Sequence, residues 1–599
     1  MAVRLTGETP VLRSDSPMAE GIETGRAPAA ALAQPAGGAW SYAGPIDPVA
    51  LADRPLLSQA WQRRLIWAFL AIGLAARCLR FWLRFGLWED ECFLCVNFID
   101  RGFLDLLKPL DCHQTAPVLF LWVELAVTRL LGFSELPLRL MPFVASLGGF
   151  VLFAHIARRL LSGAALVVAV AVMAVAYPGI RYAAEAKQYA TDFFLATALI
   201  ALVLEWWRSP RQAGWLWALA IVSPVAVAAS YPCLFVAGGV AAFVGLAATA
   251  QRRWRCLLPL GLMAVAVAAT FALLYIGSMR GQTAAEIEWM RVTWHRAFPP
   301  AIGHPLALAR WLIVTHTGSM LAVPVGADNG GSSLTFLLCA AGLWALARRR
   351  QWGLVVLAVA PLGFQMAAAA MRRYPYGDHV KFTQPYLTMV CVLAGLGMAQ
   401  VLALLGHRPP HGKRLLAGAL VFLALLGIGA MARDIAMPYK ALADQQARAF
   451  ARQFWGGASA ERPTLCAQRD LHLNLTPEMF HDLSWGAMYY CNQRIYRPLD
   501  SPAGAADANL AAQAGRPVRV AVYHVLAAPP AVSRLHFDEA ALRTWLDSMQ
   551  ERFDLVSARA YPMERFKRWP WHELAALDYV EVYTFVPKVP DSSSNRVGT

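Results

Sequence analysis

Apolar residues in this chain gather into runs of the length a bilayer demands, and that feature excludes most folds. A hydrocarbon core about 30 Å thick takes roughly 20 apolar residues in a helix. Such runs cover roughly 65–83, 138–157, 164–180, 190–207, 215–232, 233–250, 257–277, 333–347, 353–371, 385–404 and 414–432, eleven in all. The shortest, 333–347, crosses only with help from its flanks. Over 599 residues, 57% are hydrophobic and 16% charged, where a soluble domain carries about 25% charged residues. An ordinary water-soluble enzyme is excluded, and so is a disordered chain. The formal net charge of +15 raises nucleic acid as a partner, and only the distribution of that charge can answer it.

The basic residues mark alternate connections. Arg63/Arg64, Arg158/Arg159, Arg208/Arg211, Arg252/Arg253/Arg255, Arg348/Arg349/Arg350 and Arg408/Lys413/Arg414 stand at one set of ends, almost without acids. The positive-inside rule makes that set cytoplasmic. The net charge is thereby accounted for, and no nucleic-acid partner is expected. The expected fold is a polytopic α-helical membrane protein of about 11 transmembrane helices, N-terminus in and C-terminus out. Three segments follow: a disordered cytoplasmic tail over 1–60, a transmembrane domain over 61–432, and an extracytoplasmic α/β domain over 433–599. The last segment is expected to hold strands at Val518–Val525 and Tyr579–Val586 and amphipathic helices at Asp444–Phe454 and Asp538–Phe553. Counting Ala116–Leu131 as a span would reverse every later basic loop. With Glu124 and Arg129 inside it, that stretch reads as an interfacial or re-entrant helix in a large first external loop. A similar helix is expected over 305–321.

Ten cysteines show no zinc spacing. Cys92 and Cys95 form C-x-x-C without a second pair. Outside the cytoplasm disulfides persist. Cys466 and Cys491 are the candidate bridge, and Cys112 is a second candidate with Cys92 or Cys95.

Three outer connections hold the residues suited to chemistry. The first opens Leu87-Trp88-Glu89-Asp90-Glu91, directly after a span. The plain reading is a solvated charge run. Alternatively, a carboxylate flanked by Trp88 and Phe93 acts as a general base, or the acids hold a divalent cation. His113 and Gln114, further along this loop, are either loop residues or contacts to an acceptor. The second connection carries Glu185, Lys187, Tyr189 and Asp192. Glu185 and Lys187 can be interfacial anchors. Asp192 stands just inside an apolar run, where a charge is costly and calls for a cation, a metal or a substrate hydroxyl. The third, residues 372–382, carries Arg372, Arg373, Tyr374, Pro375, Tyr376, Gly377, Asp378, His379 and Lys381. It is a basic loop on the side that otherwise lacks bases. Arg, His and Lys together suit a phosphate; an aromatic-belt turn with snorkelling arginines is the alternative.

Taken in order, these motifs resemble a family. Trp88-x-Asp90-Glu91, the Ala116-Pro117 helix, Ser134-Glu135-Leu136-Pro137-Leu138-Arg139, the Tyr182-x-x-Glu185-x-Lys187-Gln188-Tyr189-Ala190 stretch and Tyr374-Pro375-x-Gly377 look like the glycosyltransferase-C superfamily. The branch resembled is that of the protein O-mannosyltransferases and aminoarabinose transferases. The resemblance covers roughly 65–390 and leaves out the tail. It implies a glycosyltransferase moving a sugar from a polyprenyl-phosphate carrier to a lipid, glycan or protein acceptor by a single inverting displacement. It further implies Asp90 as general base with Glu91 assisting. Glu185, Lys187, Tyr189 and Asp192 would line the site, and Arg373, His379 and Lys381, with Arg372 beside them, would hold the lipid phosphate. Asp378-His379 stands where the family often has an arginine after the glycine. A phosphate monoester leaves as a stable anion, so the chemistry asks for a base and for positive charge, the latter contributing roughly 3–4 kcal/mol per donor. No Walker loop or dinucleotide fingerprint is present. No cofactor is required, and a divalent cation remains an alternative. Ala- and Arg-rich wording fits a GC-rich bacterium, hence the bacterial cytoplasmic (inner) membrane with the site facing the periplasm. Two other functions fit parts of the pattern: a lipid or solute transporter or flippase, and a non-catalytic envelope scaffold. No inverted repeat of broken helices supports the first, and the second leaves Asp90, Glu91 and 372–381 without a purpose.

Overall fold

The computed structural model describes residues 40–46, 56–99, 101–110, 114–279, 290–301, 303–326, 329–405, 409–438, 464–468, 515–524, 539–562 and 579–588. Its helices include α1 (Gln59–Trp82), α2 (Glu89–Cys95), α3 (Val118–Leu131), α4 (Glu135–Leu138), α5 (Leu140–Leu160), α6 (Gly163–Ala174), α7 (Tyr177–Tyr182), α8 (Tyr189–Arg208) and α9 (Gly214–Ala229). They continue with α10 (Cys233–Ala250), α11 (Leu257–Leu274), α12 (Pro305–Thr317), α13 (Ser333–Arg348), α14 (Trp352–Ala370), α15 (Leu387–Leu405), α16 (Pro409–Ala436) and α17 (Glu539–Gln550).

Each of the eleven apolar runs falls on a helix, and among the described residues 8 helical stretches are long and apolar enough to cross a membrane. They carry α1, α5, α8, α10, α11, α14, α15 and α16. Helices α6, α9 and α13 have 12, 16 and 16 residues. Twelve residues rise only about 18 Å. Helix α6 tolerates this because it meets no lipid: every residue from Ala164 to Ala174 is buried. A helix apolar all round belongs in an interior. It stops where the Tyr177 N–H donates to the Pro324 carbonyl (2.8 Å) and Pro178 opens α7. The carbonyls freed at that break are met by Arg77 of α1, which is fully buried. Its guanidinium donates to the Met173 and Ala174 carbonyls (3.4 and 3.5 Å) and to Ser146 (3.1 Å), and lies 4.5 Å from the Phe150 ring centre. A cation at a helix C-terminus is the favourable sign.

Close approach needs glycine where α13 meets α15. A Cβ at Gly342 would lie 2.2 Å from the Leu393 carbonyl oxygen, and one at Gly397 would lie 1.9 Å from that of Leu338. Small residues at such crossings let backbones meet without a hydrophobic drive between helices.

Helix α3 begins after Pro117 and buries one face, including Phe120, Leu121, Glu124 and Leu125. That face joins Leu87, Cys92, Cys95, Phe98 and Leu138 in an apolar cluster of its own. The first connection is therefore a packed unit, which fixes α2 beside it. Helix α12 occupies the second expected position, followed by a short 3-10 turn at Ser319–Leu321.

Four strands, β1 (Thr464–Gln468), β2 (Val518–His524), β3 (Phe553–Pro562) and β4 (Tyr579–Pro587), form a sheet in the order β1-β2-β4-β3. Strands β1 and β2 run parallel; the β2–β4 and β4–β3 pairs are antiparallel. Val518, Phe553, Val582, Phe585 and Met549 of α17 are buried. Cys491, and with it the Cys466 bridge, lies outside the described residues. So do the helix expected at Asp444–Phe454, Cys112, and most of the 1–60 segment.

Candidate active site

The acidic triplet after α1 is a helix start. The Glu91 carboxylate accepts from the Trp88 N–H (3.3 Å), the backward reach of an N3 glutamate. The same carboxylate accepts twice from Arg139, at the junction of α4 and α5 (Nε 2.8 Å, Nη2 2.6 Å), and once from the Ala186 N–H (2.7 Å). Arg139 also donates to the carbonyls of Phe85 and Gly86. Glu91 is 1% exposed. It is a buried knot joining the end of α1, the start of α2, the α4–α5 junction and the α7–α8 turn. It has no open face toward a substrate.

Asp90, one position earlier and so about 100° round the helix, faces elsewhere. Its Oδ1 meets Lys187 Nζ at 2.9 Å, with side-chain exposures of 21% and 5% for Asp90 and Lys187. Its Oδ2 accepts from the Tyr189 hydroxyl at 3.3 Å. Lys187 also donates to Gln114 Oε1 (2.6 Å), which brings the first loop's second motif to the same place. His113 lies outside the described residues. Between α7 and α8 the chain turns tightly, with the Lys187 N–H on the Glu185 carbonyl (2.7 Å). The Glu185 carboxylate pairs with Arg181 Nε (2.5 Å), one helical turn back. Arg181 keeps its Nη2 buried and without a hydrogen-bond partner. Burial first, and then the Glu185 carboxylate, push the Tyr182 phenol up, so it stays protonated as a donor. Its hydroxyl is also unpartnered, and its ring packs edge-on against Tyr189 at 4.8 Å.

The basic loop divides. Gly377 and Asp378 take left-handed φ of 76° and 62°, and a Cβ at Gly377 would lie 2.4 Å from Thr315 Cγ2 of α12. This turn separates the arginines from the lysine. Arg372 and Arg373 are exposed, Arg372 near the Phe298 ring (5.7 Å). His379 starts the 3-10 helix Val380–Tyr386, accepting from the Lys381 N–H at 3.2 Å. Lys381 points inward: its Nζ lies 4.1 Å from the Trp294 ring, 5.4 Å from Phe382 and 5.9 Å from Tyr189. Among the four basic residues singled out in the sequence, Lys381 alone reaches the Tyr189 ring. It forms no ion pair among the described residues; its half-buried ammonium lies among aromatic faces.

Asp192 lies one turn further along α8, buried, with Oδ1 unpartnered. Among the described residues no three His, Cys, Asp or Glu side chains converge as metal ligands. Cys92 and Cys95 are both buried. The Asp90 and Glu91 carboxylates each face a protein cation instead of one another. The sequence reading did not single out Arg139, Arg181 or Trp294 as site residues. Arg139 and Arg181 carried a signal, being arginines on the side where basic residues are otherwise few. Trp294 carried none.

The cluster thus offers a part-exposed carboxylate held by a lysine and a tyrosine, with a second lysine and an arginine N–H facing inward. No family model and no curated protein matches this chain. Among solved structures it is similar to ArnT from Cupriavidus metallidurans bound to undecaprenyl phosphate, at 14% identity over 86% of this chain and 97% of that one, TM-score 0.47. It is also similar to the Archaeoglobus fulgidus oligosaccharyltransferase in the apo form, at 14% identity, 78% and 70% coverage and TM-score 0.46. A third likeness is to AglB from Archaeoglobus fulgidus in complex with an inhibitory peptide and a dolichol-phosphate, at 12% identity, 77% and 69% coverage and TM-score 0.41.

Proposed function

We propose that this chain is a membrane glycosyltransferase using a polyprenyl-phosphate-linked sugar. The acceptor is a lipid, glycan or protein at the outer face of the bacterial cytoplasmic membrane. One observation carries the reading: Asp90 on α2 and Lys381 on the last outer connection both reach Tyr189, with Lys187 against Asp90. A base and an anion site thus share one place at the ends of apolar helices. The motif resemblance over 65–390 supports the same reading.

In the reaction proposed, the acceptor hydroxyl gives its proton to the Asp90 carboxylate while its oxygen attacks the anomeric carbon. The bond from that carbon to the phosphate oxygen breaks, and polyprenyl phosphate leaves with the electron pair. A single displacement from the far face inverts the carbon. Lys381, Lys187 and the spare N–H of Arg181 face the phosphate. Glu91 takes no proton; it holds α2 so that Asp90 points inward.

The test is transfer of label from a radiolabelled polyprenyl-phosphate sugar in membranes. Asp90→Asn keeps the shape and the Tyr189 contact and removes the base. It is expected to lower transfer by about 10²–10⁴-fold, with the protein still folded and inserted. Full activity in D90N would overturn the assignment.

A further inference from the structure

Beneath the Asp90 cluster is a second set of polar groups that the proposed chemistry does not use. Asp192 of α8, Ser230 between α9 and α10, and Tyr386 at the end of the 3-10 helix before α15 come from three separate elements. Asp192, Ser230 and Tyr386 are buried, at 3%, 0% and 5% exposure. Asp192 Oδ1, Ser230 Oγ and the Tyr386 hydroxyl each lack a hydrogen-bond partner. Ser230 stands beside the Asp192 carboxylate, near enough for its hydroxyl to turn toward it; Tyr386 lies further off, within electrostatic reach of the same carboxylate. Buried polar groups in native proteins are nearly always paired, and each orphan costs as much as a lost hydrogen bond. A buried carboxylate and two buried hydroxyls with unused hydrogen-bonding capacity mark a place that a ligand can complete.

The geometry ties this place to the site above it. Tyr189 and Asp192 are three residues apart on α8, so they share a face, about 4.5 Å apart along the axis. That face carries Tyr189 to Asp90 and Asp192 one turn deeper. A carboxylate and two hydroxyls, with no cationic side chain in their number, offer acceptors and rotatable donors. This set suits vicinal hydroxyls and does not suit a phosphate.

We infer that Asp192, Ser230 and Tyr386 form the cradle that grips the ring hydroxyls of the donor sugar, below the point where the anomeric carbon meets Asp90. The inference rests on the transferase reading and adds to it the group that selects the sugar. These residues position the sugar; they neither take the acceptor proton nor meet the phosphate. They therefore separate recognition of the sugar from recognition of the lipid phosphate.

The experiment measures binding to the full-length protein in nanodiscs with two kinds of probe. One is undecaprenyl phosphate; the other is undecaprenyl phosphate carrying glucose, galactose or mannose. Wild type is expected to bind at least one sugar-bearing lipid more tightly than the bare lipid. In Asp192→Asn and Ser230→Ala that preference is expected to fall by about tenfold or more, the cost of one hydrogen bond to a charged group. Binding of the bare lipid is expected to stay within about twofold, which also reports that the variants are folded. An unchanged preference in both variants, or no preference in wild type, would overturn the cradle and leave the transferase reading standing. Failure of wild type to bind any of these lipids would instead strike the transferase reading itself.

Discussion

Glu91→Gln separates a structural carboxylate from a catalytic one. The Glu91 carboxylate accepts two hydrogen bonds from Arg139 and one each from the Ala186 and Trp88 N–H groups. A glutamine offers one oxygen and turns an NH₂ toward a guanidinium, placing donor against donor. The Arg139 charge, with a side chain 2% exposed, is then left without its counter-ion. Removing one partner of a buried pair costs about 3–5 kcal/mol, a fall in melting temperature of roughly 5 °C for a helical body of this size. The assay is thermal unfolding in detergent, run beside transfer activity. The variant E91Q is expected to lose stability and activity together. The double variant E91Q/R139Q, in which no charge is stranded, is expected to recover about 1–2 kcal/mol of the loss, a coupling measured by the cycle. If E91Q melts like wild type yet loses activity as D90N does, Glu91 touches the reaction and its assignment as the anchor of α2 is wrong.

Lys381→Ala is expected to raise the donor KM by about ten- to a hundredfold, the worth of one charge-assisted contact, whereas R372A/R373A stays within about twofold; equal effects would restore the exposed arginines as phosphate ligands. Glu124 of α3 is buried with both oxygens unpartnered, and burial pushes its carboxyl well above the usual 4.5. Its folded form therefore favours the proton, so stability is full below about pH 4.5 and falls as pH rises toward the folded value. The advantage of E124Q in melting temperature is expected to grow from pH 4.5 to pH 8, and a pH-independent difference would refute it. Asp434→Asn weakens the ion pair with Arg80 (2.8 Å), whose Nε holds the Arg181 carbonyl (3.3 Å). It is expected to lower the melting temperature and raise the donor KM together; a change in stability alone would show that α16 does not act on the site.

The helices were legible because the bilayer writes its thickness into the sequence as run length. Helix α6 was not, since Val175 and Ala176 are as apolar as what precedes them. Its end is set by partners far along the chain, Arg77 and Pro324, and the one local sign was Pro178. In the site, residue types were legible and pairings were not. Glu91 and Asp90 are adjacent in sequence, yet one is locked to Arg139, 48 positions away, and the other to Lys187. Helical rotation separates them, and nothing in the acidic triplet says which is inward. The basic loop hid the same ambiguity. A left-handed turn at Gly377 and Asp378 decides that Lys381 enters the cluster while Arg372 and Arg373 stay outside.

Charge balance within the cluster gives the proposed reaction its direction. Three of the described carboxylates each have a cation: Asp90 with Lys187, Glu185 with Arg181, Glu91 with Arg139. Lys381 forms no ion pair among the described residues and is held by aromatic faces that attract a cation less than a carboxylate would. A lysine so placed, where water screens its charge poorly, favours a phosphate diester before any chemistry. When the acceptor proton reaches Asp90, Lys187 loses its anionic partner. In the same step the phosphate, leaving as a monoester, gains negative charge. The ammonium released by the base is thereby available to the leaving group as its charge develops. Such stabilisation acts on the transition state more than on the bound donor, which is the condition for raising kcat and not only lowering KM.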